Sequence, residues 1–144
     1  MKIARIVAVA LLIVASGLAL HAGRTQQPGF RRTELQRHDL SSPGREMVQM
    51  RVEFDPGGTT PKHTHPGEEI IYVTDGTIEY QIEGQARVRA DDSARRNPVT
   101  VKAGEVYFIP AETVHTAKNT GTVNAAEIST YVVEKGKPLA VVVK

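Results

Sequence analysis

An all-β fold, a sandwich or a single barrel, is what this sequence of 144 residues predicts. Three observations carry that expectation. Short segments alternate between apolar and polar residues, turn-forming Gly, Pro, Asn and Asp separate them at close intervals, and no mature segment sustains a helical period. No stretch repeats another, so one domain is expected.

The elements follow in chain order. Lys2 and Arg5 precede an uncharged apolar run from Ile6 to Leu20, and Leu20-His21-Ala22 ends on a small residue. That is the outline of a secretory signal peptide over residues 1–22, with cleavage after Ala22. The competing reading is an uncleaved membrane anchor, for which the run falls short of the ~20 residues a spanning helix needs. Residues 23–44 are polar and broken, and read as an ordered arm that lies along a neighbouring subunit. His38 belongs to it as a plain surface histidine.

The domain itself is expected over residues 45–144. Met47 to Asp55 alternates, with Val48, Met50, Val52 and Phe54 on one face and Gln49, Arg51, Glu53 and Asp55 on the other. Pro56-Gly57-Gly58 ends this strand. Glu69 to Thr74 is mostly apolar, Asp75-Gly76 signals a hairpin, and Thr77 to Glu83 alternates through Ile78, Tyr80 and Ile82. Ala90 to Pro98 is a polar loop. Shorter strands are expected at Val99 to Lys102, Glu105 to Ile109, Val114 to Lys118, Asn124 to Val133 and Leu139 to Val143. The last is compatible with an edge, an interface or an interior place. Gly57, Gly76, Gly104 and Gly121 suit turns of positive φ.

One constellation stands out from this framework. Of five histidines, three fall at His63, His65 and His115, and Glu69 follows the first pair closely. On a strand, His63 and His65 project to one side and Thr64 to the other. Pro66-Gly67 then turns the chain, and Glu69 returns from the next strand. Neutral imidazole and carboxylate suit Mn, Fe, Co, Ni, Cu or Zn better than Ca or Mg. The plain alternative is a set of ordinary strand histidines. Against it stands Glu69, a carboxylate heading an apolar run, costly to bury unless a cation neutralises it. Glu68 would point to the opposite face and is read as a non-ligand.

The spacing resembles that of the cupins. Their first motif, G-x5-H-x-H-x3,4-E-x6-G, is met at Gly57, His63, His65, Glu69 and Gly76. Their second, G-x5-P-x-G-x2-H-x3-N, is met at Gly104, Pro110, His115 and Asn119, with Glu112 standing in place of its middle glycine. That glycine serves a turn, so the departure bears on local backbone more than on ligands. The resemblance spans about residues 47 to 134. It implies a single cupin-type β-barrel (a double-stranded β-helix or jelly roll) in which His63, His65, Glu69 and His115 hold one divalent transition metal. Small barrels of this kind resemble dimers, so a homodimer is expected.

Composition sets the partners. The chain has 18 Lys+Arg against 16 Asp+Glu, and loss of Lys2 and Arg5 leaves 18 − 2 = 16 against 16. A near-neutral mature chain gives no footprint for nucleic acid or for stable membrane association after cleavage. Arg31-Arg32 and Arg95-Arg96 read as solvated pairs. No cysteine is present, so an exported chain would carry no disulfide. The partner expected is a small-molecule ligand or substrate. Three functions remain open: an exported metal-dependent dioxygenase of a chelating enolate or catecholate, flavonols included by the resemblance; a non-catalytic periplasmic binder; and a non-redox lyase or isomerase. No general base can be named. Tyr72, Tyr80, Tyr107 and Tyr131 read as core or interface, and Glu112 and Thr113 as turn residues near the pocket rim.

Overall fold

The computed structural model describes residues 29–83 and 98–144, and the signal-peptide reading, the start of the arm, Arg95-Arg96 and nearly all of the Ala90–Pro98 loop lie outside them. The described residues form ten strands and no helix: β1 (Phe30–Asp39), β2 (Arg45–Phe54), β3 (His63–Thr64), β4 (Gly67–Asp75), β5 (Thr77–Glu83), β6 (Val99–Lys102), β7 (Val106–Ile109), β8 (Val114–Asn119), β9 (Ala125–Glu134) and β10 (Val141–Val142). They make two five-stranded sheets, ordered β1-β2-β9-β4-β7 and β10-β3-β8-β5-β6. Every pairing is antiparallel. The all-β fold expected from the pattern, and the jelly roll that the resemblance implies, are therefore present. Among the described residues it is a pair of facing sheets, not a ring closed by hydrogen bonds.

Period-2 alternation decides which side chains meet between the sheets. Val48, Val52 and Phe54 of β2 are buried, as are Glu69, Ile71 and Val73 of β4 and Glu127, Ser129, Tyr131 and Val133 of β9. The opposite sheet contributes Ile78, Tyr80, Val101, Ala117 and Asn119. Most of these pack into one cluster, while Val48, Tyr131 and Val133 form a second, joined to it by Met50. Each fully buried aliphatic or aromatic side chain contributes about 1.5–3 kcal/mol, so this layer dominates stability. Exposed ion pairs such as Arg51–Glu53 contribute at most ~1 kcal/mol.

Two expectations need correction. Phe30–Asp39 does not leave the domain as an arm: it pairs with β2 from Phe30↔Phe54 to Asp39↔Glu46, as the edge strand of the first sheet. Inter-strand backbone hydrogen bonds stabilise it where its own side chains bury little. His38 is exposed on it, beside Gln36. The second concerns Gly121. Positive φ occurs at Gly57, Gly76 and Gly104 as expected, but not at Gly121, whose N–H is held by Asn119 Oδ1 at 2.8 Å. Asn119 is fully buried, and its amide also donates to the carbonyls of Phe54, Asp55 and Val123. Its motif position is thus structural, binding the end of β2 to the β8–β9 turn. The tail segment contributes β10, exposed at the edge of the second sheet.

Gly67 opens β4 directly after the His63-Thr64-His65 segment. A Cβ there would lie 2.0 Å from the Val132 carbonyl oxygen and 2.7 Å from the Val133 Cα, so β4 and β9 could not keep their separation. Gly67→Ala should therefore cost about 2–3 kcal/mol by overpacking, measured by chemical denaturation. Gly104→Ala, which meets nothing within 4 Å and bears only a φ of +88°, should cost about 1–2 kcal/mol. A smaller loss at Gly67 than at Gly104 would contradict this account of the β4–β9 contact.

Candidate metal centre

His63 and His115 sit opposite each other on β3 and β8, and His65 follows where the chain leaves β3. All three are at most 3% exposed. One ring nitrogen from each lies within 4.8 Å of the others. The rings are fixed individually. His63 Nδ1 lies 2.8 Å from the Pro61 carbonyl, His65 Nδ1 2.6 Å from that of Leu139, and His115 Nδ1 2.9 Å from that of Thr113. A carbonyl oxygen only accepts, so each Nδ1 carries the proton and donates it. Each ring then turns Nε2 inward. Burial, aided by the neighbouring His115, pushes His63 down to about 3, which keeps it neutral.

Glu69 completes the group from the sheet across. Its Oε2 lies 3.4 Å from His65 Nε2 and 3.3 Å from His115 Nε2. Burial would raise this carboxyl, and positive charge held at the His115 and His65 nitrogens facing it lowers it well below the usual carboxylate range. His65 Nε2 and Glu69 Oε2 are buried without a hydrogen-bond partner. Lone pairs facing lone pairs in a buried site repel, and a cation between them removes the conflict. The donor set therefore fits a transition metal. Glu68, read as a non-ligand, turns outward to Arg45 at 2.9 Å.

The turn before His115 resolves the departure at Glu112. Its φ of +59° places a glutamate in the left-handed region that a glycine would occupy without strain. Its N–H donates to the His65 carbonyl at 3.0 Å, which ties the second histidine segment to the first. The backbone keeps the glycine conformation although the residue has changed.

Beside the histidines is a narrow cavity of about 10 Å³, by a measure in which one water needs roughly 10–15 Å³. Its walls include Glu69, His63 and His115, and also Arg32, Tyr80, Glu127 and Tyr131. Two of the four strand tyrosines thus reach the site, whereas Tyr72 is exposed and Tyr107 half-buried. Glu127 was not singled out by the sequence, and Arg32, read there as half of a solvated pair, lines the cavity instead with its Nε buried; parity could have found both. Glu127 shares the inward parity of Tyr131 and Val133, and Arg32 that of Phe30. Glu127 accepts hydrogen bonds from the Tyr80 hydroxyl and from Ser129 Oγ, the latter at 3.0 Å. Burial, reinforced by the Glu69 charge, pushes its carboxyl up to about 7. Burial also raises the Tyr80 and Tyr131 phenols, so both remain protonated donors.

A two-sheet antiparallel jelly roll with a buried three-histidine cluster between its layers defines the class of protein. The chain belongs to the cupin-domain family, whose model matches residues 50–134. Oxalate oxidase 2 of Hordeum vulgare is 34% identical over 113 residues, 76% of this chain and 49% of that protein. Germin-like protein subfamily 2 member 2 of Arabidopsis thaliana is 34% identical over 82 residues, 56% of this chain and 34% of that protein. The chain thus spans about a third of the length of the germin-like relatives it matches. Among solved structures, an oxalate oxidase in complex with the substrate analogue glycolate superposes with a TM-score of 0.61 at 32% identity, covering 84% of this chain and 59% of that one.

The Glu127 carboxyl has a pH signature. Its folded-state value of about 7 lies above the ordinary 4.5, so the folded protein holds the extra proton between those values. Its contribution is fully present below pH 4.5 and is lost as pH rises through about 7, with a slope of at most about 1.4 kcal/mol per pH unit. His63, lowered from 6.5 to about 3, works in the opposite direction between those values. The stability difference between the metal-free protein and its Glu127→Gln variant should therefore fall with pH between about 4.5 and 7. A difference flat across that range, measured by denaturation at each pH, would contradict the assignment.

Proposed function

We propose that this chain is an exported metal-dependent oxidoreductase of a small chelating acid, with one divalent transition metal held by His63, His65, Glu69 and His115. The observation that carries the reading is a cluster of three buried imidazoles, two of whose Nε2 atoms lie 3.4 and 3.3 Å from a buried Glu69 oxygen without a hydrogen-bond partner. Such an ion supplies Lewis-acid charge stabilisation, a template for a chelating substrate and, for Fe, Mn, Ni or Cu, a path for electrons. The chain's own residues hold the ligands in one tautomer, restrict entry to a small cavity and place protonated hydroxyls of Tyr80 and Tyr131 at its wall. The similarity to oxalate oxidases supports a two-carbon acid as substrate.

The full chain, purified from the periplasm without chelators, should carry about one equivalent of Fe, Mn, Ni or Cu by elemental mass spectrometry. It should consume oxygen with oxalate. His63→Ala or His115→Ala should weaken metal binding by more than about a hundredfold, since outer partners of ligands alone are worth roughly 10–100-fold. Glu68→Ala should leave binding unchanged. Loss of metal in Glu68→Ala with retention in Glu69→Ala would overturn the ligand set. Turnover without oxygen on Zn would point to a lyase or isomerase, and binding without turnover to a carrier.

A further inference from the structure

We propose that Arg32, reaching from the edge strand β1, is the residue that anchors the negative charge of the ligand at the metal centre and so selects acids over neutral chelators. The proposal rests on the small-acid reading above and deepens it.

Three buried side-chain atoms lack a hydrogen-bond partner among the described residues: His65 Nε2, Glu69 Oε2 and Arg32 Nε. The first two face each other, and the third belongs to a side chain lining the cavity beside them. Placement follows from register. Arg32 stands opposite Val52, which stands opposite Glu127, so the three share the inward face of one sheet. Arg31, Arg37, Arg45 and Arg51 each have a carboxylate within 4.0 Å. Arg32 has none among the described residues. The carboxylates that share its cavity are turned elsewhere: Glu127 accepts from Tyr80 and Ser129, and Glu69 faces the histidines. The Phe30 ring, 5.3 Å from Cζ, orients the guanidinium without giving Nε an acceptor.

A buried cationic donor without an acceptor is costly, and a planar fork of N–H groups matches a carboxylate with two parallel hydrogen bonds. An acid that chelates the metal at one end and reaches Arg32 at the other would satisfy the guanidinium. A neutral chelator of the same shape would offer it one amide oxygen in place of two charged carboxylate oxygens. The discrimination therefore resides in a strand outside both histidine motifs.

The test uses the full chain loaded with Mn, comparing oxalate with its neutral isostere oxamide by calorimetric titration. Arg32→Gln should weaken oxalate by about ten- to a hundredfold, the range charge-assisted hydrogen bonds give, while oxamide affinity and Mn content stay unchanged. Arg32→Lys should restore part of the oxalate affinity, since it returns the charge without the fork. Equal oxalate affinity in wild type and Arg32→Gln, both Mn-loaded, would overturn the role of Arg32 and leave the proposed function standing. Equal losses for oxalate and oxamide would reduce Arg32 to a wall of the cavity, and would also overturn it. If the wild type binds neither oxalate nor glycolate, the small-acid reading falls and Arg32's role falls with it.

Discussion

The Nδ1–H of each histidine is spent on a backbone carbonyl, and the rest of the site depends on that constraint. Pro61, Thr113 and Leu139 supply the acceptors from three separate parts of the chain. Two of these carbonyls lie two residues before the ring they hold, so His63 and His115 are oriented by their own strands. His65 is held instead by the tail, whose β10 also pairs with β3. A ring free to rotate or change tautomer could present either nitrogen. A ring fixed in this way presents Nε2 and nothing else.

That constraint explains why a polar group occupies the middle of an otherwise apolar sandwich. Orienting hydrogen bonds satisfy half of each imidazole and leave the other half as an inward lone pair. Glu69, placed opposite Tyr131 and inside the same layer, turns its Oε2 towards two of those inward nitrogens, at 3.4 and 3.3 Å. The neighbouring polar pair is solved differently. Glu127 receives the Tyr80 hydroxyl from the opposite sheet and Ser129 from its own strand, so its oxygens have donors without any ion. Two buried glutamates in one layer thus have opposite needs, set by whether their neighbours donate or accept.

Much of this was legible in the sequence because β2, β4, β5 and β9 have one buried and one solvated face, which writes a period of two into the residues. The ligand candidates were legible for the same reason, since spacing on strands fixes which side chains share a face. The edge strand β1 was not. Beyond Phe30 and Arg32 its side chains are exposed on both faces, so no alternation marks it. Its pairing with β2 is carried by backbone hydrogen bonds, which leave no trace in side-chain identity. Glu127 was hidden by a related effect. An acidic residue in a strand ordinarily signals the wet face, and only its parity with Tyr131 and Val133 assigns it inward. Glu112 shows the converse: the backbone keeps its left-handed turn because the Glu112–His65 hydrogen bond and the flanking strands hold it there.

Charge balance joins the edge strand to the site. A divalent ion beside the ionised Glu69 leaves one positive charge in a cavity with almost no water to screen it. Arg32 adds a second, and its guanidinium cannot release a proton to relieve it. Glu127 shares that wall, and burial with the Glu69 charge raises its carboxyl to about 7, so near neutrality it supplies only part of a negative charge. An entering acid brings full negative charge and an acceptor for the Arg32 Nε that lacks one. A pocket whose fixed groups are arranged in this way is complementary to an anion before one arrives, and β1 is the element that makes it so.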